Sequence, residues 1–116
     1  MRISQLSKQT SVSVRMLRYY EEKGLIRPKR RDSGYREYDH SDLQRVRCIR
    51  TLNAGGLSLE KILRILPCVL TVSPTFESCP ELGAFFKQEI AAIDEQMKAL
   101  RESRRVLKEY LEALAL

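Results

Sequence analysis

One stretch, Ser11 to Tyr38, constrains the fold more than any other: SVSVRMLRYYEEKGLIRPKRRDSGYREY. It predicts a short helix carrying Arg15, Arg18, Tyr19 and Tyr20, then a stop, a basic loop and a tight turn beside strand-like residues. Ser13 suits the N-cap, because its hydroxyl can accept a bond from a backbone N–H left unpaired at the helix start. At helical spacing Val14, Leu17 and Glu21 share one face, and Arg15, Arg18, Tyr19 and Glu22 share another. Lys23 falls in the last turn, Gly24 can take the left-handed C′ conformation, and Pro28 blocks resumption. Asp32-Ser33-Gly34 is turn chemistry, and Tyr35-Arg36-Glu37-Tyr38 alternates about a strand axis. A cationic helix followed by a cationic hairpin suits a DNA groove and its flanking phosphates.

The distribution of charge points the same way. The 116-residue chain has a net charge of +6, but residues 1–64 hold 15 Lys/Arg against 7 Asp/Glu, and residues 65–116 hold 6 against 8. A basic half joined to a mildly acidic one implies a polyanion partner for the first and a separate task for the second. The length allows one domain plus an appendage.

The run VRMLRYYEEKGLIRP, with SGYREY after a short basic spacer, resembles the winged helix-turn-helix of the mercury-resistance-regulator (MerR) family. The likeness extends through YDHSDLQRVRCIRTLNAGGLSLEKILRIL and covers roughly residues 1–66. It implies a DNA surface at or near the positions of Arg15, Arg18, Tyr20, Tyr35, Arg36 and Tyr38. The family commonly has Gly where this chain has Ser11, so a left-handed turn there would be strained by roughly 1 kcal/mol.

The residues themselves extend that set. Arg15 and Arg18 can fork onto guanine edges or hold phosphates, and Arg30, Arg31 and Arg36 suit the backbone beside the wing. Tyr20, Tyr35 and Tyr38 offer hydroxyls to phosphates and flat faces to sugars. The DNA-binding set is therefore Ser13, Arg15, Arg18, Tyr20, Arg30, Arg31, Tyr35, Arg36 and Tyr38. Tyr19 is left out of this set, because one tyrosine of the Tyr19–Tyr20 pair can fill the core and Tyr20 is assigned to the DNA.

The remaining elements follow from spacing. Ser4 caps a first helix to about Thr10, whose Ile3 and Leu6 pack on Val14 and Leu17. Asp39 with Asp42 reads as a capping box for a third helix with Leu43, Val46, Ile49 and Leu52 on its buried side. Arg45, Arg47 and Arg50 lie off that stripe, as a solvated face or a second phosphate surface. Gly55-Gly56 ends the helix, Ser58 caps a fourth, and Leu59, Ile62, Leu63 and Leu66 line it until Pro67. Pro67, Pro74 and Pro80 then mark a linker over 67–79.

From Pro80 the register is strict. Phe86, Ile90, Ile93, Met97, Leu100, Arg104, Leu107, Leu111 and Leu114 recur at spacings of four and three, the seam of helices that wind around each other. Arg104 alone breaks it. Some 35 residues of helix reach about 52 Å, too long for so small a domain to cover. Residues 80–116 are thus a dimerisation helix, with Ile90, Ile93, Met97, Leu100, Leu107, Leu111 and Leu114 in the contact. The resemblance implies that two such helices pair antiparallel.

No catalytic constellation emerges: there is one histidine, His40, and no glycine-rich phosphate loop or nucleophile elbow. Cys48, Cys68 and Cys79 lack zinc spacing and form no disulfide framework, so no metal and no cofactor is expected. With Pro80 at the first helical position, Cys79 becomes the N-cap of the long helix, where the dipole favours thiolate. It matches in position a cysteine of metal-sensing family members, whose further cysteines after the helix have no counterpart here. The first reading is a structural small hydrophobe, with a single sensing thiol as the alternative. Without a signal peptide or an apolar run of membrane length, the chain is expected in the cytoplasm and off the membrane.

The architecture expected is mainly α: a winged helix-turn-helix over 1–66 with a small β-hairpin wing, the linker, and a coiled-coil dimerisation helix. By resemblance it binds an inverted-repeat operator in double-stranded promoter DNA as a homodimer. It then distorts the promoter for RNA polymerase, with or without an effector. An architectural or adaptor protein, whose coiled coil recruits a partner, is the alternative.

Overall fold

Four short helices and a two-stranded hairpin precede one long helix. The computed structural model describes residues 1–30, 34–70 and 81–114. In chain order the elements are α1 (Ile3–Thr10), α2 (Val14–Glu22), β1 (Lys29–Arg30), β2 (Arg36–Glu37), α3 (His40–Ala54), α4 (Leu59–Leu70) and α5 (Glu81–Ala113). Two compact units result, Met1–Val72 and Ser73–Leu116.

Local chemistry accounts for the element ends in the first unit. Ser13 caps α2 by accepting from the Met16 N–H at 3.1 Å. Asp39 and Asp42 form the reciprocal capping box of α3, at 3.0 and 2.9 Å. The hydroxyl of Ser41, then the Asp42 N–H, donate to Asp39 and hold its carboxyl down at about 2. Ser58 caps α4 through the Lys61 N–H.

Two helices stop by the same device. At the end of α2, Leu25 N–H donates to the Tyr20 carbonyl and Gly24 N–H to Glu21, with Gly24 at φ 78°. At the end of α3, Leu57 N–H donates to Leu52 and Gly56 N–H to Asn53, with Gly56 at φ 100°. Paired 6→1 and 5→2 bonds around a left-handed residue make the Schellman stop. The apolar residues that follow, Leu25 and Leu57, are both buried, so each stop also docks the chain on the core.

That core joins every helix of the unit. Leu6 of α1 and Leu17 and Tyr20 of α2 pack with Val46 and Ile49 of α3, Ile62, Ile65 and Leu66 of α4, and the loop residues Leu25 and Ile26. Arg45 is drawn into this packing, its Nε donating to the Leu25 carbonyl at 2.6 Å. It is a brace for the α2–β1 loop rather than a free surface cation.

The fourth helix departs from expectation twice. It runs through Pro67 to Leu70, so the first residues of the expected linker are helical. Proline removes one helical N–H and crowds the carbonyl four residues back, which weakens a helix without always ending it. Its buried stripe is Ile62, Ile65 and Leu66, and Leu63 is 41% exposed because it lies at the stripe's margin. Residues 71–79 of that linker lie outside the described residues.

The second unit contains α5, 33 residues or about 50 Å of helix. Phe85 and Phe86 meet edge to face near its start. Further along, Arg105 pairs with both Glu102 and Glu109 on its polar side. Ile90, Ile93, Met97, Leu100, Leu107, Leu111 and Leu114 are all exposed in the single chain. Pro80, the expected first residue of this helix, lies outside the described residues.

Ser11, between α1 and α2, stands at φ 59°, ψ 23°. It is the one non-glycine residue with positive φ among those described. A Cβ in that region costs roughly 1 kcal/mol. Ser11→Gly should therefore stabilise the domain by up to about 1 kcal/mol, offset in part by unfolded-chain entropy. Urea denaturation checks this, and a lower midpoint would mean that the strain is absent.

Candidate nucleic-acid interface

The helix α2 divides cleanly between core and surface. Leu17 and Tyr20 are buried, whereas Arg15, Met16, Arg18, Tyr19 and Glu22 are exposed. With Ser13 these five line one shallow hollow along the helix. Lys23 Nζ stands 5.5 Å from the Tyr19 ring centre, placing a cation against its face. This is a surface of about two turns that can present forked donors and an aromatic edge together.

The wing stands beside it. β1 and β2 pair antiparallel with Lys29 opposite Glu37 and Arg30 opposite Arg36. Directly opposed residues project to the same side, so Arg30 and Arg36 reinforce one another's charge. Gly34, at φ 82°, supplies the left-handed turn residue. Tyr35 next to it is 56% exposed.

Three contacts tie the wing to the helices. Arg36 Nε meets Glu21 Oε2 at 3.2 Å, and the Arg2 guanidinium lies 4.5 Å from the Tyr35 ring centre. Tyr38 N–H donates to the Met1 carbonyl at 2.8 Å, and the Met1 amino group donates to the Tyr38 carbonyl at 2.6 Å. Arg36 is half-buried, so it both orients the wing on α2 and adds positive charge there.

Two expected DNA contacts need correction. Tyr20 is only 3% exposed, and burial raises its hydroxyl pKa against the opposing charge of Arg50. Tyr38 is 1% exposed; burial, and after it the charge of Glu21, pushes its pKa up. Neither ring can lie on a sugar-phosphate backbone. Of the helix pair, Tyr19 faces outward and Tyr20 inward, since Tyr20 falls three residues after Leu17 on the core side. Arg15, Arg18, Arg30 and Tyr35 are exposed, as is Ser13 beside its cap. Arg31 lies outside the described residues.

Arg2 was missed in the sequence, where a single cation before the first helix carries no pattern. Its stacking on Tyr35 is a tertiary fact.

The cysteines divide differently from expectation. Cys48 is a free, partly buried thiol, and burial raises its pKa despite nearby Arg45. Cys68 is disulfide-bonded, where the sequence suggested no disulfide framework. Cys79, the candidate sensor, lies outside the described residues. Among the described residues no group of three His, Cys, Asp or Glu is placed to hold a metal ion. Nor is any helix there long and apolar enough to cross a membrane.

The family described as "MerR HTH family regulatory protein" matches residues 1–67, and "MerR, DNA binding" matches residues 43–110. This chain belongs to the MerR family. It is accordingly a DNA-binding transcription regulator of the MerR type and not an enzyme. Among curated relatives, a "Probable heavy metal-dependent transcriptional regulator" of Haemophilus influenzae is 36% identical over 111 residues, 95% of this chain and 84% of the relative. Among solved structures, the regulator PbrR691 of Ralstonia metallidurans CH34, in complex with lead(II), is 32% identical. It superposes with a TM-score of 0.77 over 94% of this chain and 83% of its own. The fold is shared as well by HiNmlR, a MerR family regulator lacking the sensor domain and bound to promoter DNA, at a TM-score of 0.63 and 23% identity. That overlap spans 88% of this chain and 76% of HiNmlR.

The buried tyrosine gives a direct check on the interface. Among the described residues the Tyr38 hydroxyl has no hydrogen-bond partner. An unpaired buried hydroxyl costs about 1–3 kcal/mol. Tyr38→Phe should hold or raise stability and leave affinity for duplex DNA unchanged in an anisotropy titration. A marked loss of affinity would return the hydroxyl to the DNA surface.

Proposed function

We propose that this MerR-family regulator binds an inverted-repeat operator as a homodimer joined through α5. The observation that carries the reading is the apolar line on α5. Six large apolar side chains on a helix of 33 residues, and Leu114 just past its end, stand 44–70% exposed at heptad spacing. Monomers rarely leave so long a hydrophobic stripe in water, and a second copy of the same stripe is its natural cover. The exposed face of α2 and the wing then supply two DNA-reading surfaces, one from each copy.

In this reading Arg15, Arg18 and Tyr19 enter the major groove from α2. Arg30, Tyr35 and Arg36 hold the adjacent backbone from the wing. Forked guanidiniums suit guanine edges and phosphates alike, and the ion pair to Glu21 keeps Arg36 from swinging away. Two-fold pairing of the protein calls for two-fold symmetry in the site. Distortion of the promoter for RNA polymerase follows as the mode of regulation, supported by membership of the family.

Selection of binding sites from random duplexes tests the DNA half of the proposal. Inverted repeats should be enriched, and a footprint should cover both half-sites; enrichment of single half-sites would overturn the dimeric reading.

Leu100 tests the protein half. At the middle of the stripe and 69% exposed in one chain, it would be buried in the pair. Leu100→Asp would then bury a carboxylate at a cost of several kcal/mol. Sedimentation should show monomer at micromolar concentration, with operator affinity falling in parallel. A mutant that remains dimeric would remove α5 from the interface.

A further inference from the structure

A cleft of about 430 Å³ opens where the start of α1, the outer side of α2 and the wing converge. Arg2, Arg18, Arg30 and Arg36 line it together with Tyr35. These residues come from three separate segments, so their meeting is a product of tertiary structure. Arg2, Arg18 and Arg30 are exposed. Among the described residues none of these three is ion-paired, while Arg36 is oriented by Glu21. Four like charges around one concavity oppose folding through mutual repulsion. The core residues of α1 and α2, Leu6, Thr10, Leu17 and Tyr20, are not among those that line the cleft. An anion would relieve the repulsion.

Arg2 is held in place for this task. Its guanidinium lies 4.5 Å from the Tyr35 ring centre, a stacking distance that limits its rotamers without consuming its N–H donors. A planar fork with fixed orientation suits a tetrahedral oxyanion better than a freely swinging ammonium does.

We infer that this cleft seats one backbone phosphate of duplex DNA, and that Arg2, outside both the reading helix and the wing strands, is one of its ligands. The inference rests on the DNA-binding reading above and adds a contact to it. The phosphate meets Arg2 and Arg30, with Arg18 linking the seat to the exposed side of α2. Base edges are excluded as the ligand, because the contact is a concavity beside the wing and not the projecting face of the helix. Being a phosphate contact, it fixes register on the duplex without reading sequence.

The test compares wild type with Arg2→Met and Arg2→Lys, using fluorescence anisotropy on a selected operator and on a random-sequence duplex across a salt series. Met keeps an apolar arm over Tyr35 while removing the charge, and Lys keeps the charge. Arg2→Lys should melt with wild type and Arg2→Met at or slightly above it, because Arg2 is exposed and its charge adds to the repulsion. Arg2→Met should weaken both duplexes several-fold and equally, with the slope of log affinity against log salt reduced by about one. Arg2→Lys should retain the wild-type slope. A wild-type slope in Arg2→Met overturns the proposal while leaving DNA binding intact. Failure of the wild type itself to bind duplex at low salt would instead overturn the DNA reading beneath it. Inorganic phosphate, titrated at constant ionic strength, separates the other source of this chemistry. Saturable phosphate binding that depends on Arg2, alongside an unchanged DNA slope, would assign the cleft to a free anion and overturn the proposal.

Discussion

The wing depends on one buried side chain. Its strands are two residues each, and a hairpin of that size does not hold itself together in water. Tyr38, directly after β2, sinks to 1% exposure and exchanges two backbone hydrogen bonds with Met1. A buried aromatic removes about 150–250 Å² from water, worth roughly 4–6 kcal/mol as an upper bound. An unpartnered hydroxyl takes back about 1–3 kcal/mol of that, which still leaves a firm anchor. The Arg36–Glu21 pair is weaker, since both groups keep contact with solvent. It orients the wing, whereas Tyr38 holds it.

This division of labour explains why the aromatic-rich signature is a poor guide to the DNA surface. Of the tyrosines expected there, Tyr20 closes the helix-turn-helix core and Tyr38 anchors the hairpin, leaving Tyr35 exposed. Outward presentation falls mainly to arginines. Their long apolar stems can lie along the domain while the charged ends reach solvent. The core thus sets the angle between α2 and the wing, and the arginines extend that geometry into solvent.

What was legible in the sequence was local. Ser13, the Asp39–Asp42 box, Ser58, Gly24, Gly34 and the Gly55-Gly56 stop each act through the few residues around them, and the structure shows each acting so. The strain at Ser11 was readable only through the family resemblance, in which Gly is common at that position, and Ser11 does stand at φ 59°. One local signal failed: Ser4, expected to cap α1, lies inside it, and the N-cap position falls to Arg2. The other misread features depend on more than the few residues around them. Helical spacing set Tyr20 three residues after Leu17, on the core side, but its hydroxyl drew it into the expected DNA set. Arg45 looked like a solvated cation until the Leu25 carbonyl supplied its bond. Pro67 is a strong local stop signal, yet α4 passes through it for one further turn. Arg2 acquires meaning only when the wing folds beside it.

The seam of α5 shows how the same physics can act between chains. A strictly apolar line gives two helices several nearly equivalent registers, because each apolar knob can slide by a heptad into the next hole. Arg104 is the one charged residue on that line. Its neighbour Arg105 is already engaged by Glu102 and Glu109 on the polar side, so those two carboxylates are occupied within the helix. In the proposed pair, Arg104 must therefore reach either solvent or an acceptor on the other copy. Registers that bury it without an acceptor carry the penalty of an unpaired charge, which exceeds the gain from one more apolar contact. One misfit on an otherwise uniform stripe thus selects among registers. The register of α5 against its copy would in turn set the separation of the two DNA-reading surfaces, which is the quantity an inverted-repeat site measures.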